Sequence, residues 1–201
     1  RVILAFTAMV AAASPADPAA LPKDLIIVPG SSLAGRQPDG NSILLDTPKG
    51  LILVDTGRHT AHQDAILSAA KLRGKPIIAI INTHWHLDHS GGNAEIRSAF
   101  PGVPLYASNA INGALIGFLR DSRAEAEDYL RSGKASAELA EDIRLDMSAV
   151  DDPASLRPSI AVAADATRTI GGRSVEVNLA PFAATEGDVW LFDRKTRVLV
   201  A

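Results

Sequence analysis

The 201-residue sequence contains no cysteine, which excludes disulfide bonds, thiolate metal ligands and a cysteine nucleophile. It also lacks any apolar run of roughly 18 residues, so no membrane-spanning helix is predicted. Twenty basic residues against 23 acidic ones give a net charge of −3 and no general attraction to nucleic acid. Histidine is scarce, and all five histidines lie between His59 and His89. Any metal site must therefore use imidazole and carboxylate ligands, and this region is the first place to look.

Residues 1–23 are predicted to be a signal peptide and leader. Val2–Ala13 is apolar or small, which suits the apolar core of a signal peptide but is too short to cross a bilayer. Ala11 and Ala13 form a small-x-small pair typical of a cleavage site. The alternative is an Ala-rich N-terminal helix packed on the domain. Export predicts a periplasmic or secreted protein.

Residues 24–201 alternate strand and helix patterns and predict one α/β domain with a mixed sheet covered by helices. Asn41–Leu45 and Leu51–Asp55 predict a hairpin, and Pro76–Ile81 predicts a strand buried on both faces. The other predicted elements are a helix over Ala61–Leu72 that begins with a capping box of Thr60 and Gln63, a helix over Asn93–Phe100, a strand over Pro104–Ala107, and hairpins centred on Gly171-Gly172 and Asp193–Thr196. The pattern breaks off within a strand at Arg197–Ala201, so we expect the domain to be incomplete.

Residues 108–147 are predicted to form a helical insert, which its glycines divide into two or three pieces. The charges of Arg120–Arg131 favour a solvated face over a binding surface. Asp151–Pro158 is predicted to be a linker. We expect the insert to shape one wall of a substrate pocket, where substrate choice is set.

Four ligand-type side chains follow the buried strand directly: His84, His86, Asp88 and His89. Residues two apart in an extended chain point to the same side, so His84 and His86 can approach one ion. The next turn displaces Asp88 and His89, which can reach a second position a few ångströms away. Neutral imidazole and carboxylate suit Zn²⁺. This spacing favours a metal site over a polar turn without metal.

The run Asn82–Asn93 (Asn-Thr-His-Trp-His-Leu-Asp-His-Ser-Gly-Gly-Asn) resembles the defining motif of the metallo-β-lactamase-fold hydrolases. The resemblance extends upstream to Leu53–Gly57 and downstream to Glu186–Val189. It implies an αβ/βα sandwich of two mixed sheets with helices outside, of which the C-terminal part is missing here.

The resemblance also implies two zinc ions in a complete site, with His84 and His86 at the first and Asp88 and His89 at the second. Asp55 is implied to support the site from beneath, although the residues alone leave open a carboxylate that caps its own turn. Members of the family with flavin-linked di-iron chemistry carry a carboxylate at the position of His86. The imidazole there favours zinc and hydrolysis.

Ala184 stands where the family normally supplies a third histidine to the first zinc. Each position then has two ligands, whereas catalytic zinc generally needs three protein ligands and a water. We therefore expect weak zinc binding and impaired activity, whether Ala184 is engineered, natural or misaligned. Glu186 or Asp188 is the alternative ligand. His59 and His62 are expected to be exposed polar residues, with a ligand or substrate contact as the alternative.

The implied reaction is hydrolysis of a small acyl substrate by metal-activated hydroxide, with a β-lactam, a lactone or another ester-like bond as the target. Asp88 is the predicted catalytic residue, because it orients the nucleophile. Trp85 and Leu87 alternate with the ligands and are expected in the core rather than against substrate. The alternative function is a non-catalytic relative that binds a ligand or partner. A small-molecule substrate is the expected partner, and neither nucleic-acid binding nor a membrane span is expected.

Overall fold

The hairpin predicted near the start of the domain is formed by β2 (Ser42–Thr47) and β3 (Gly50–Val54) in the computed structural model, which describes residues 22–201. Its turn is shorter than predicted, because the strands continue to Thr47 and Gly50. Thr47 Oγ1 donates to the carbonyl of Gly50 (2.8 Å), which closes the turn. The predicted signal peptide lies outside the described residues.

The first sheet contains six strands in the order β1–β2–β3–β4–β5–β6. The strands joining that hairpin are β1 (Leu25–Val28), β4 (Ile77–Ile81), β5 (Leu105–Ala107) and β6 (Ile160–Ala161). The neighbours from β1 to β3 are antiparallel and those from β3 to β6 are parallel, so this sheet is mixed as expected.

The second sheet contains four strands in the order β10–β9–β8–β7. They are β7 (Ala166–Ile170), β8 (Arg173–Phe182), β9 (Glu186–Asp193) and β10 (Val198–Val200). Every neighbouring pair described here is antiparallel, because the strands follow one another through hairpins. The expectation of two mixed sheets therefore holds for the first sheet, whereas this one is antiparallel over the described residues.

The side chains of β3 show how the layers pack. Ile52 and Val54 point into a core shared with the second sheet. Leu51 and Leu53 point to the opposite face, where α1 (Thr60–Arg73) and α3 (Asn93–Ala99) cover the sheet. A strand buried on both faces has no polar alternation, which explains the continuous apolar runs of the sequence.

The insert consists of three helices followed by a short fourth. They are α4 (Ala110–Ile116), α5 (Phe118–Arg131), α6 (Ala137–Asp151) and α7 (Pro153–Leu156). The short helix α2 (Leu87–Ser90) lies in the loop of residues 82–92 that carries the four predicted ligands, and this segment is called the metal-binding loop after that prediction. The predicted linker over Asp151–Pro158 is therefore wrong, because a proline at the first helical position starts a further turn there. None of the helices within residues 22–201 is long and apolar enough to cross a membrane.

The predicted capping box of α1 is also wrong. The N-cap is His59, and the Gln63 side chain donates instead to the carbonyl of Arg58 (3.0 Å). The reason is a distant carboxylate: Asp39 Oδ1 accepts from the backbone N–H groups of Arg58 (2.7 Å) and His59 (3.1 Å). Sequence spacing around Thr60 cannot reveal that acceptor.

Arg173 joins the two sheets through a buried ion-pair network. Its guanidinium donates to Asp193, to Asp24 Oδ2 (2.9 Å) and to the carbonyl of Asp46 at the end of β2 (2.6 Å). Arg173→Ala is expected to lower the free energy of unfolding by about 3 kcal/mol, because it leaves the buried Asp193 carboxylate without its charge partner. Urea unfolding monitored by circular dichroism measures this loss.

Arg194→Ala is the matched control for that prediction. Arg194 pairs with Glu176 but its side chain is 79% exposed, so its removal is expected to change stability by no more than about 0.5 kcal/mol. Equal losses for the two variants would contradict the structural role given to Arg173.

Candidate metal centre

The four predicted ligands lie on one loop that begins where β4 ends. Three imidazole rings come together there: the centroids of His84 and His86 are 4.7 Å apart, and those of His84 and His89 are 4.1 Å apart. Asp88 Oδ2 lies 3.5 Å from His89 Nε2. Two ligands at about 2.1 Å from one tetrahedral zinc ion are about 3.4 Å apart, so the spacing of this last pair fits a shared ion.

Hydrogen bonds assign the ring nitrogens of His84. Thr83 Oγ1 donates its hydrogen to Asp55 Oδ2 (2.7 Å) and therefore accepts from His84 Nδ1 (3.0 Å). This leaves His84 Nε2 with the lone pair that a metal requires. Burial, helped by the neighbouring His89, lowers the pKa of His84 and so favours the neutral, ligating form.

Asp55 holds the loop from beneath. Its backbone φ is 58°, a left-handed conformation that aspartate tolerates better than most residues. The buried carboxylate accepts from Thr83 N (2.8 Å), from Thr83 Oγ1 and from His89 Nδ1 (2.7 Å). Its hydrogen bonds thus go to the metal-binding loop and not to its own turn, and they turn His89 Nε2 towards Asp88.

The hydrogen bond between His89 and Asp55 also changes the pKa of His89. Burial lowers the pKa of His89, but the hydrogen bond to Asp55 and the charges of Asp55 and Asp88 outweigh it, so the pKa lies above its usual value.

Gly40 packs directly against the His89 ring, since a Cβ at Gly40 would lie 2.6 Å from His89 Cε1. Sequence reasoning missed Gly40, because nothing in the local pattern links it to the motif.

The turn between β8 and β9 carries Ala184, the residue at the position of the expected third histidine. Val189 N donates to the carbonyl of Thr83 (2.6 Å), which places the start of β9 beside the metal-binding loop. The Asp188 carboxylate is engaged within the turn, because it accepts from Ala184 N (2.8 Å) and from Thr185 N (2.9 Å) and Oγ1 (2.6 Å). The Glu186 side chain lies on the exposed side of the hairpin.

Within residues 22–201, no three or more His, Asp or Glu side chains are arranged around one point as metal ligands. The four predicted donors are His84, His86, Asp88 and His89, and the ring of His84 lies nearer to that of His89 (4.1 Å) than to that of His86 (4.7 Å). Their chemistry fits zinc, and the number of them arranged around any one point falls short of the three protein ligands usual for catalytic zinc.

His59 and His62 are both buried, so the expectation of exposed polar residues is wrong. His59 bridges two carboxylates, with Nδ1 2.7 Å from Asp39 Oδ2 and Nε2 2.9 Å from Asp142 Oδ1. His62 Nε2 lies 2.8 Å from the Ser42 hydroxyl. Burial is tolerated because each ring has polar partners, and these partners place both histidines in the structural framework and outside the ligand set.

Arg58 connects the insert to the metal-binding loop, a role that no sequence motif indicates. Its Nη1 donates to Asp146 Oδ2 of α6 (2.8 Å) and to Gln37, and its Nη2 lies 3.7 Å from Asp88 Oδ1. Burial raises the pKa of Asp146 to about 6 despite the charge of Arg58. Through Arg58, the position of α6 is coupled to that of the Asp88 carboxylate.

Trp85 and Leu87 differ in their surroundings. Leu87 is buried in a cluster with Ile111 and Leu119 of the insert, as expected for a core residue. Trp85 lies at the edge of that cluster, with its ring 5.5 Å from the ring of Phe118. The insert therefore packs directly on the metal-binding loop.

Asp142 anchors α6 and makes docking of the insert sensitive to acid. Burial raises the pKa of Asp142, but hydrogen bonds from Arg36, Gln37 N and His59 outweigh it and hold the pKa below 3.8. Its stabilising contribution is therefore complete above pH 3.8 and is lost as the pH falls further. Asp142→Asn is expected to lower the free energy of unfolding by about 2 kcal/mol at pH 7.

The same variant is expected to lose less stability than the parent protein between pH 7 and pH 3, since it has no carboxylate to protonate there. Urea unfolding at both pH values measures the difference. Glu141→Gln is the control, because Glu141 is exposed and shares only the Arg36 contact. An equal acid loss in parent and Asp142→Asn would refute this role.

Comparison with known proteins relates this geometry to one family. A family model described as the metallo-beta-lactamase superfamily matches residues 35–201. A hydroxyacylglutathione hydrolase of Gloeobacter violaceus is 44% identical over 52 residues, which cover 26% of this chain and 21% of that protein. A linear primary-alkylsulfatase of a Pseudomonas species is 42% identical over 50 residues, which cover 24% of this chain and 10% of that protein. These matches span less than a quarter of the relatives' own length.

Solved structures share the fold over more of the chain. A metallo-beta-lactamase from Pontibacter korlensis superposes with a TM-score of 0.54 and 21% identity, over 85% of this chain and 62% of that one. The metallo-beta-lactamase IND-7 superposes with a TM-score of 0.55 and 21% identity, over 88% of this chain and 70% of that one. At this identity the likeness shows the fold alone.

Proposed function

Since the chain belongs to the metallo-beta-lactamase superfamily, we propose that it is a zinc-dependent hydrolase of a small acyl substrate. The observation that carries the proposal is the grouping of four zinc-compatible side chains on the loop after β4, held by the Asp55 carboxylate. His84 and His86 are proposed for one zinc position, and Asp88 and His89 for the other.

Bound zinc supplies Lewis acidity and a nucleophile derived from water at neutral pH. The chain's own residues supply orientation and proton transfer. Asp88 is proposed as the catalytic residue, because its carboxylate lies beside His89 and can accept the proton of an attacking water. Arg58 restrains that carboxylate from the other side, at 3.7 Å. Asp55 is a positioning residue that fixes the orientation and tautomer of His89.

The names of the relatives include hydrolases of an acylglutathione and of an alkyl sulfate, so ester-like bonds of several kinds are candidates. The proposed export of the chain favours a small molecule outside the cytoplasm, such as a β-lactam or a lactone, over a cytosolic thioester. The acidic balance disfavours nucleic acid as a substrate. Ala184 favours the second candidate, a non-catalytic relative that keeps the fold and binds a ligand or partner.

Zinc-dependent turnover of a substrate panel separates the two candidates. The panel contains a nitrophenyl ester, a lactone, a β-lactam, an acyl thioester and an alkyl sulfate, each assayed with and without added zinc. We expect slow, zinc-dependent hydrolysis of at least one acyl substrate, abolished by Asp88→Asn. Asp64→Asn, which changes an exposed carboxylate of α1, is the control. Zinc binding without turnover of any substrate would support the non-catalytic candidate.

A further inference from the structure

A cavity of about 400 Å³ lies between the helical insert and the metal-binding loop. One side of it is apolar and is formed by Leu119 and Ala126 of α5 and by Ile143, Met147 and Val150 of α6. A volume of this size, with one apolar wall, is within the range of small-molecule sites.

The opposite wall is the metal-binding loop itself. Trp85, His86, Leu87 and Asp88 all line the cavity. His86 and Asp88 are assigned to different zinc positions, so the cavity reaches both halves of the proposed centre. A molecule in the cavity therefore has its end beside the reacting groups.

Seven of the fifteen residues that line the cavity are polar, and the two arginines among them, Arg58 and Arg123, are each paired with a carboxylate. Arg58 and Asp146 form an ion pair in the wall, with 2.8 Å between Nη1 and Oδ2. Within the described residues, Arg58 Nε and Asp146 Oδ1 are buried without a hydrogen-bond partner.

The rim of the cavity extends the apolar surface outward. Phe118, at the start of α5, lines the cavity with its side chain 62% exposed and its ring beside Trp85. A large exposed apolar side chain beside a cavity indicates a binding surface better than an isolated one does.

We propose that this cavity binds the acyl part of the substrate as an uncharged, mainly apolar chain or ring, with its reacting carbonyl beside His86 and Asp88. The substrate class is therefore an apolar acyl ester, lactone or lactam and not a short, polar acyl group. The insert, through α5 and α6, sets this preference. This inference rests on the proposed function for the identity of the reacting bond, whereas binding of the apolar chain does not require zinc.

The test measures binding of butanamide, hexanamide and octanamide to the zinc-free protein. The sequence has two tryptophans, and Trp190→Phe leaves Trp85 as the only tryptophan, in the wall of the cavity. Its fluorescence then reports occupancy directly. We expect the Kd to fall about threefold to fourfold for each added methylene, as burial of one methylene group predicts. A Kd that does not change with chain length would overturn the proposal.

Ala126→Phe fills the cavity from α5, and Ala124→Phe places the same side chain on the exposed part of that helix. Octanamide is expected to bind at least tenfold more weakly to Ala126→Phe and unchanged to Ala124→Phe. Met147→Gln keeps the volume of the wall but makes it polar, and it should weaken octanamide binding if Ala126→Phe proves unstable. If all these variants bind octanamide with the same Kd, the amide binds outside this cavity and the proposal is contradicted.

Hydrolysis measured in parallel distinguishes failure of this inference from failure of the proposed function. If amide binding depends on chain length but no zinc-dependent hydrolysis is found, the result supports the acyl-binding cavity and contradicts the proposed hydrolase function. If acetyl and octanoyl esters have equal kcat/KM and no amide binds, the result supports the hydrolase function and contradicts the acyl-binding cavity.

Discussion

Ala184→His is expected to raise the affinity for zinc about 100-fold. Val189 N donates to the carbonyl of Thr83, next to His84, and Ala184 N is hydrogen-bonded to Asp188 at the start of the same strand, so we expect a histidine at position 184 to reach the first proposed zinc position. Zinc sites of four ligands bind with about 10–16 kcal/mol, or roughly 3 kcal/mol per ligand, which corresponds to about 100-fold. A third histidine would also bring this position to the ligand number usual for catalytic zinc. Competition with a fluorescent chelator measures the affinity.

Ala183→His is the matched control, because Ala183 precedes Ala184 in the same turn and both residues are exposed. It adds the same imidazole without occupying the position that the family uses. Turnover of the substrate panel is expected to increase with zinc affinity in Ala184→His alone. An equal gain in both variants would show non-specific binding, and no gain in either would show that the turn between β8 and β9 does not face the metal.

Asp55→Ala is expected to lower zinc affinity by about 10- to 100-fold and stability by about 3 kcal/mol. The variant leaves Thr83 N and the His89 ring without their acceptor, and it places alanine at a φ of 58° that favours aspartate over alanine. Loss of a hydrogen-bond partner to a metal-binding histidine typically costs that much affinity. Chelator competition and urea unfolding measure the two effects.

Asp55→Asn separates the role of Asp55 in positioning His89 from its role in stability. The amide oxygen can still accept from Thr83 N, but the amide nitrogen cannot accept from His89 Nδ1. We expect this variant to lose at least tenfold in zinc affinity while its free energy of unfolding changes by about 1 kcal/mol. Normal zinc binding in a strongly destabilised Asp55→Asn would contradict the positioning role.

The sequence predicts those parts of the fold that depend on neighbouring residues. The hairpin at Gly171-Gly172, the buried strand Ile77–Ile81 and the helix Asn93–Ala99 follow from local pattern, and the structure has all three. The ligand candidates His84 to His89 are found for the same reason, because they lie on one short segment.

Long-range contacts could not be predicted. The N-terminus of α1 depends on Asp39, and the burial of His59 depends on Asp142, which is far away in the sequence. Arg58 links the insert to the metal-binding loop because it pairs with both Asp88 and Asp146. Gly40 matters only because its backbone touches the His89 ring. Each of these roles arises from packing between segments that are distant in the sequence, and the hydrophobic pattern of the sequence does not indicate such contacts.

The most direct measurement is the amount of zinc bound per chain by equilibrium dialysis at fixed free zinc concentrations. The parent protein is compared with two double variants, His84→Ala with His86→Ala and Asp88→Ala with His89→Ala, and with the variant carrying all four changes. We predict that the parent binds up to two zinc ions at high free zinc and that each double variant loses one of them. A parent protein that binds no more zinc than the fourfold variant would contradict the account.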